Sequence, residues 1–171
     1  FPRIPGFNLP SSPSRLVKYN YGPEFNAGHI TEHPPSSVPN QEYRLQLPEV
    51  DSDGNDIAGI RTPEIEAPVG THTGWSLRKA GVAEGDLFSL TGSFLPFART
   101  QKERETNNDP RLSIEERYPS HEVYVKAIAN AAYKLVEEGM LLLEDAERYI
   151  QAAKERNPLD SNVPLLPLTL K

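Results

Sequence analysis

The chain has 171 residues, of which 37% are hydrophobic and 17 are proline, and its formal net charge is −6. Because no block of lysine or arginine could neutralise a row of phosphates, nucleic acid and an anionic membrane surface are disfavoured as partners. Cysteine is absent, which excludes disulfide bridges and thiolate metal sites, and no apolar run approaches membrane-spanning length. We therefore expect a soluble protein without membrane insertion, in either a cytoplasmic or an exported location.

Residues 1–48 are predicted to form an irregular, extended arm, because they contain nine of the prolines. Proline fixes φ and removes a backbone donor, which excludes long helices and central strands. Short extended pieces at residues 15–21 and 43–47 are separated by clusters of serine and proline. We expect the arm to lie over a surface that another segment supplies.

Residues 49–98 are predicted to contain most of a β-hairpin and then a loop region rich in glycine, threonine and aromatic residues. The hairpin spans residues 43–70, and Asp53-Gly54 supplies its turn, because glycine adopts positive φ without penalty.

Residues 99–157 are predicted to be helical and to end in a helical hairpin. Ser113 and Glu116 have the spacing of a capping box. Apolar residues recur at helical spacing over 121–138, Gly139 is expected to end that helix, and a second helix follows over 144–156.

The tail, residues 158–171, is extended and apolar, and we expect it to dock on a partner surface. The arm, the β-hairpin, the helical hairpin and the tail together predict an α+β fold. We expect them to form one structural unit that is part of a larger domain.

No metal site or cofactor is predicted. Residues 51–56 resemble the start of a calcium loop, but the glycine comes early and position twelve is Thr62 instead of glutamate. His29 and His33 are four residues apart, yet Gly28 and the two prolines after His33 oppose the helix that a zinc pair would need. Five basic side chains over residues 99–117 are matched by five acidic ones, which predicts a solvated, ion-paired surface.

No catalytic residue is assigned, although His72 is a candidate. Thr71, Thr73 and Trp75 surround it, but a loop histidine held by backbone carbonyls explains the pattern with fewer assumptions. Ser93 lacks the second glycine of a nucleophile elbow, so a triad of Ser93, His72 and Asp86 has no support from spacing. Aromatic residues of the same region are more often core, but they could line an apolar substrate pocket, and the candidates are Trp75, Phe94 and Phe97.

Several unusual motifs resemble, in order, the C-terminal region of one bacterial family, the "alpha/beta hydrolase domain-containing" proteins. They lie at residues 21–26, 34–35, 51–59, 60–64, 73–78, 90–93, 96–100 and 109–118 and in the helical hairpin after them, and the resemblance covers about residues 1–156. It implies an α/β-hydrolase fold with a serine, histidine and acid triad, whose serine elbow and histidine lie upstream of the matched region. This chain would then be an appendage that packs on the core sheet and borders the substrate entrance.

The favoured function is therefore the C-terminal portion of a serine-type hydrolase that acts on a carboxylic ester or a related bond. Its partner would be the upstream catalytic portion of the same hydrolase, and the chain alone would be inactive. One alternative is a non-catalytic interaction subunit that binds a larger protein through its arm and tail. Another is an independent hydrolase that uses His72 and Ser93.

Overall fold

The computed structural model describes residues 1–9, 16–43, 48–79, 81, 83–88, 90–168 and 170, and the chain forms two compact units. The larger unit consists of Phe1–Asn8, Pro48–Ser76 and Phe88–Lys171. The smaller unit consists of Leu9–Leu47 and Leu77–Leu87.

Among the described residues, short strands and one short α-helix come first along the chain, and the other α-helices follow. In order they are β1 (Leu16–Asn20), β2 (Ser36–Tyr43), α1 (Pro63–Glu66), β3 (Gly70–Thr73), β4 (Ser76–Leu77), β5 (Leu87–Phe88), β6 (Ser93–Pro96), α2 (Gln101–Thr106), α3 (Ile114–Arg117), α4 (His121–Glu137) and α5 (Leu143–Glu155). The described strands form three two-stranded sheets, β1 with β2, β3 with β6 and β4 with β5. This mixture of helices and small sheets confirms the predicted α+β class. None of the described helices is both long and apolar enough to cross a membrane.

The smaller unit is built on the antiparallel ribbon of β1 and β2. Tyr19 lies opposite Ser37, and a bulge interrupts the register between Val17 and Tyr19. Pro39 falls between the registered pairs, where β2 needs no ladder donor, so the ribbon tolerates it. The arm is therefore more regular than its proline content predicts.

Among the described residues, the β-hairpin predicted over residues 43–70 is much shorter than expected. Residues 44–47 lie outside the described residues, and the paired part is a single bridge between Val50 and Asp56. It is flanked by bonds from the Ile57 N–H to the Glu49 carbonyl at 3.0 Å and from the Asp51 N–H to the Asn55 carbonyl at 2.8 Å. The tight turn does form, because the Asp51 carboxylate accepts the backbone N–H groups of Asp53 at 2.9 Å and Asn55 at 3.0 Å. After Ile57 the described chain leaves the second arm and turns into α1.

The hydrogen bonds of Arg61 explain why the chain enters a helix soon after the turn. Its guanidinium donates to the Asp56 carbonyl at 2.6 Å and to the Asp51 carboxylate at 2.9 Å. It also donates to the Ile65 carbonyl at 3.1 Å, inside α1. These bonds join the turn to the helix, so the residues after the turn are committed to α1 instead of a strand.

The helical hairpin of α4 and α5 is confirmed. The buried residues of α4 are the predicted stripe, and they are Tyr124, Ile128, Ala131, Ala132 and Leu135. Gly139, with φ of 73°, ends the helix, and its N–H donates to the Val136 carbonyl at 3.0 Å while that of Met140 donates to the Leu135 carbonyl at 2.8 Å. These two bonds are the Schellman pattern, which satisfies carbonyls that the helix end leaves free.

The hydrophobic core of the larger unit lies between this helical hairpin and the segments that precede it. Its buried members are Ala67, Val69, Phe97, Ile114, Tyr118, Tyr124, Ile128 and Ala153. Tyr118 and Tyr124 meet edge to face with ring centroids 5.1 Å apart, and the Tyr118 hydroxyl donates to the Pro68 carbonyl at 2.9 Å. Buried phenol groups need such partners, because an unpaired hydroxyl in a core is costly.

The tail packs on the core of its own chain, which corrects the expectation that it docks on a partner. Leu159, Leu165 and Leu168 lie against the buried cluster. Arg99 donates to the carbonyls of Pro158 at 2.8 Å and Asp160 at 2.9 Å, and also to that of Val163. An extended tail leaves its carbonyls without helix or sheet partners, and here a guanidinium supplies them.

Glu64 of α1 is the one carboxylate among the described residues with a buried oxygen that has no hydrogen-bond partner. Burial raises the pKa of Glu64, while the Leu168 backbone and the nearby Arg156 act in the opposite direction. The folded chain therefore binds a proton here more tightly than the unfolded chain does. The contribution of Glu64 to stability is complete at low pH and is lost as the pH rises through the raised pKa of Glu64.

We expect Glu64→Gln to raise the free energy of unfolding at pH 7 and to flatten its dependence on pH above about 4.5, the ordinary pKa of glutamate. Urea unfolding over a series of pH values measures this. Glu137→Gln, on the exposed side of α4, is the matched control and should leave the pH profile unchanged. A Glu64→Gln protein that is less stable at pH 7 would contradict the argument.

Candidate functional site

His72 lies on β3, directly opposite Phe94 on β6. The two rings meet with centroids 4.9 Å apart and a tilt of 58°. Burial lowers the pKa of His72, which favours a neutral imidazole at pH 7. Within the described residues the ring makes no hydrogen bond, so it contacts an aromatic face where backbone carbonyls were expected.

Ser93 cannot act with His72 as a catalytic pair. Ser93 lies opposite Thr73, one position along from the pair of His72 and Phe94. Residues directly opposite share a face of a sheet and successive residues alternate, so the Ser93 and His72 side chains lie on opposite faces. The Ser93 N–H donates to the Thr73 hydroxyl at 3.1 Å, which ties the serine backbone into the ribbon. Asp86, the third residue considered for a triad, belongs to the smaller unit.

Asn55 supports the other edge of β3 and was missed as a structural residue by the sequence reasoning. It is fully buried; its side-chain oxygen accepts the His72 N–H at 2.7 Å, and its side-chain nitrogen donates to the Gly70 carbonyl at 3.4 Å. One side-chain amide thus replaces a neighbouring strand. In the sequence, Asn55 belongs to a pattern that resembles a calcium loop, so its structural role was not predicted. The role is evident only from the hydrogen bonds between the turn and β3.

The Trp75 ring belongs to a cluster of three aromatic rings. Its centroid lies 5.7 Å from that of Phe1 and 5.8 Å from that of Phe7, and Phe1 and Phe7 are 5.9 Å apart. Trp75 is buried, whereas Phe1 remains exposed. The contact joins the first residues of the chain to the loop after β3, a pairing with no sequence signal.

Phe97 lies in the core beside two arginines. The guanidinium carbons of Arg111 and Arg117 are 5.0 Å and 4.3 Å from its ring centroid. Contacts of a guanidinium with an aromatic face are favourable, and more so when water is excluded. The pocket role predicted for Trp75, Phe94 and Phe97 stays a prediction; of the three, only Phe94 keeps a partly exposed ring.

Arg111 is 3% exposed and uses all five of its guanidinium N–H donors. Nε and one Nη2 donor bind the Asp109 carboxylate at 2.9 and 2.7 Å. The others bind the Thr71 hydroxyl at 2.9 Å and the carbonyls of Leu95 at 3.0 Å and Pro96 at 3.2 Å. Although burial alone would raise it, these bonds hold the pKa of Asp109 below its usual range. The expectation that every charge over residues 99–117 is solvated is therefore wrong for this pair.

Arg117 extends the same network to the turn that precedes β3. Its Nη1 donates to the Asp53 carboxylate at 2.8 Å, Nη2 binds the second carboxylate oxygen, and Nε donates to the Leu112 carbonyl at 3.0 Å. The Thr71 hydroxyl, which accepts from Arg111, donates to the Asp53 carbonyl. We call the group of Arg111, Asp109, Thr71, Asp53 and Arg117 the arginine network.

The acidic turn shows no arrangement that could hold a metal ion. Asp51 is bonded to Arg61 and Asp53 to Arg117, so the carboxylates that resemble a calcium loop already have cationic partners. The His33 ring is bonded to the Ile30 carbonyl at 2.9 Å. Within the described ranges, no group of three or more histidine, cysteine, aspartate or glutamate side chains is placed to bind a metal.

Comparison with protein-family models matches residues 27–151 to a family described as "Alpha/beta hydrolase domain". The matched range includes the arginine network, the β3–β6 ribbon and most of the helical hairpin. Searches of the curated proteins and of the solved structures give no significant match.

Removing Arg111 should destabilise the larger unit severely. Arg111→Ala leaves the buried Asp109 charge unpaired, and we expect a loss of about 3–5 kcal/mol in the free energy of unfolding. Urea unfolding measures this loss, and Arg148→Ala, which breaks an exposed pair with Asp145, should cost only about 0–1 kcal/mol. The double change Asp109→Leu with Arg111→Met should cost less than Arg111→Ala, because neither buried charge is then left alone. Equal losses in Arg111→Ala and Arg148→Ala would contradict this account.

The buried position of His72 makes a prediction about pH. In the unfolded chain His72 binds a proton near pH 6.5, whereas burial opposes this protonation in the folded chain. The free energy of unfolding should therefore fall as the pH drops below 6.5. An NMR titration should give His72 a pKa below 6.5, and His72→Phe, which keeps a ring against Phe94, should remove this part of the pH dependence. A His72 that titrates above 6.5 would refute the burial argument.

Proposed function

The chain belongs to the alpha/beta hydrolase domain family, and from this premise we propose that it is the C-terminal part of a serine-type hydrolase. The substrate class is a carboxylic ester or a related bond. In this proposal an upstream catalytic portion of the same hydrolase is its partner and supplies the nucleophilic serine and the histidine base. Backbone amides there hold the oxyanion of the tetrahedral intermediate. The present chain contributes scaffold and part of a pocket wall.

The observation that supports this role is the saturation of the arginine network. A nucleophile or general base needs a lone pair directed at the substrate. The Asp109 and Asp53 carboxylates instead accept bidentate bonds from arginines, and the Thr71 hydroxyl both accepts and donates. Groups engaged in this way hold the backbone in place, and the Asp109 carboxylate, whose pKa is lowered by its bonds to Arg111, is a weak proton acceptor.

His72 and Phe94 are the residues best placed to contribute to the pocket wall. They share one face of the β3–β6 ribbon, and both are only partly buried. A neutral imidazole beside an aromatic ring offers a substrate an apolar surface with one hydrogen-bonding edge. Trp75 and Phe97 are buried, and Phe94 packs against the core cluster that contains Phe97.

An interaction subunit is the second candidate, and one observation favours it. Met140, Leu142 and Leu143 are exposed at the link of the helical hairpin. Ile60 is also exposed and lines the same groove as Met140. Exposed apolar side chains that lie close together are typical of a surface that another protein covers. In this candidate function the other protein binds the link between α4 and α5. The tail, which was predicted to make that contact, packs on the core of its own chain.

A fluorophosphonate probe distinguishes these functions. Protein purified from its natural source is labelled, digested and mapped by mass spectrometry, with heat-denatured protein as the control. We expect the adduct on a serine outside residues 1–171, because none of the described serines has its hydroxyl bonded to a histidine base. An adduct on Ser93 that disappears in His72→Ala would overturn the proposal in favour of an independent hydrolase. A native sample in which the chain is folded and associated with other proteins, but carries no reactive serine, would favour the interaction subunit.

A further inference from the structure

The smaller unit contains a cavity of about 390 Å³, which is within the size range of small-molecule sites. Four aromatic rings dominate its lining, those of Tyr19, Tyr21, Phe25 and Tyr43. Tyr21 stacks on Phe25 with centroids 4.7 Å apart and an interplanar angle of 21°, and Tyr19 lies 6.4 Å from Tyr21. Tyr19 and Phe25 are each 50% exposed and Tyr43 is 60% exposed, so large aromatic faces remain open to a ligand.

Gly22 fixes the backbone that carries the stacked pair. Its φ of +96° lies in the left-handed region, and a Cβ atom at this position would lie 1.8 Å from the Thr31 hydroxyl oxygen. The Tyr21 carbonyl accepts the N–H groups of Thr31 at 3.0 Å and Glu32 at 3.4 Å. The stack of Tyr21 on Phe25 is therefore held by a tight local turn, which pre-organises the cavity.

The polar groups of the cavity are uncharged and largely unused. The hydroxyls of Tyr19, Tyr21 and Tyr43 make no hydrogen bond within the described part of the chain. The Asn26 side chain also has none, and Asn20 uses only its oxygen, which accepts the Gly22 N–H at 3.0 Å. Among the described residues no charged side chain lines the cavity; Lys18 lies nearby, with its ammonium 5.1 Å from the centroid of the Tyr43 ring.

We propose that this cavity binds a neutral saccharide, with one face of a pyranose ring on the aromatic side chains and its hydroxyls bonded to the tyrosines and asparagines. Aromatic faces carry partial negative charge, so they attract the polarised C–H groups of a sugar ring. An anionic ligand would lack a cationic partner among the described residues of the lining. A purely apolar ligand would bury the phenol and amide groups without partners, which is costly. The site is independent of the ester chemistry proposed above and is tested separately.

Fluorine NMR of the full chain labelled with 3-fluorotyrosine tests the proposal, because the seven tyrosines divide between the two units. The probes are the methyl glycosides of glucose, galactose, mannose and xylose, each added alone. We expect at least one of them to shift the Tyr19, Tyr21 and Tyr43 signals saturably. The signals of Tyr118, Tyr124, Tyr133 and Tyr149 should not move, and single Tyr→Phe variants assign every resonance.

A pair of matched variants defines the contribution of one hydroxyl. Tyr19→Phe keeps the ring and should weaken binding by about fivefold, the equivalent of one hydrogen bond. Tyr133→Phe, at an exposed tyrosine of α4, should leave the affinity unchanged. Tyr21 and Tyr43 signals that keep their ligand-free positions show that the smaller unit of Tyr19→Phe is folded, and the signals of the larger unit do the same for Tyr133→Phe. The proposal is overturned if none of the four glycosides gives a saturable shift, or if p-cresol shifts the pocket signals and no glycoside does.

Discussion

The buried guanidinium of Arg111 is the constraint on which the larger unit depends. A cation removed from water must have both a counter-charge and a full set of acceptors, and here Asp109, Thr71 and the carbonyls of Leu95 and Pro96 supply them. These partners come from β3, from β6 and from the segment before α3. Each of these three segments is held in position through its bonds to Arg111. The ribbon and the helical region therefore assemble around one side chain.

The neighbouring contacts extend this constraint to the turn before β3. Arg117 binds Asp53 across 64 positions of sequence, and Arg117 and Arg111 both contact the ring of Phe97. These contacts hold the turn against β3, where the Asn55 side chain completes the hydrogen bonding of the strand edge. A network that satisfies every one of its charges is rigid and chemically quiet. This combination suits a part of a hydrolase that positions a surface and leaves the reaction to other residues.

Surfaces that could meet a ligand lie outside this network. His72 and Phe94 offer a ring and an imidazole edge on one face of the β3–β6 ribbon. The smaller unit offers exposed tyrosine and phenylalanine faces around a cavity with unused hydroxyl and amide groups. In both places the polar atoms have spare hydrogen-bonding capacity, whereas all five guanidinium donors of Arg111 in the arginine network are already bonded.

The sequence by itself determined the elements whose signals are local. The capping box of Ser113 and Glu116, the apolar stripe of α4, the stop at Gly139 and the tight turn at Asp53 each depend on residues within a few positions of one another. Local composition does not determine which distant residue pairs with a charge or a strand edge. For this reason the predictions of the hairpin over residues 43–70, of the docking of the tail and of the solvation of the charges around α3 differ from the structure. Tertiary structure decided these features through long-range pairs, such as that of Arg99 with the carbonyls of the tail. It also decided the candidate site, because strand register alone places His72 beside Phe94 and away from the Ser93 side chain.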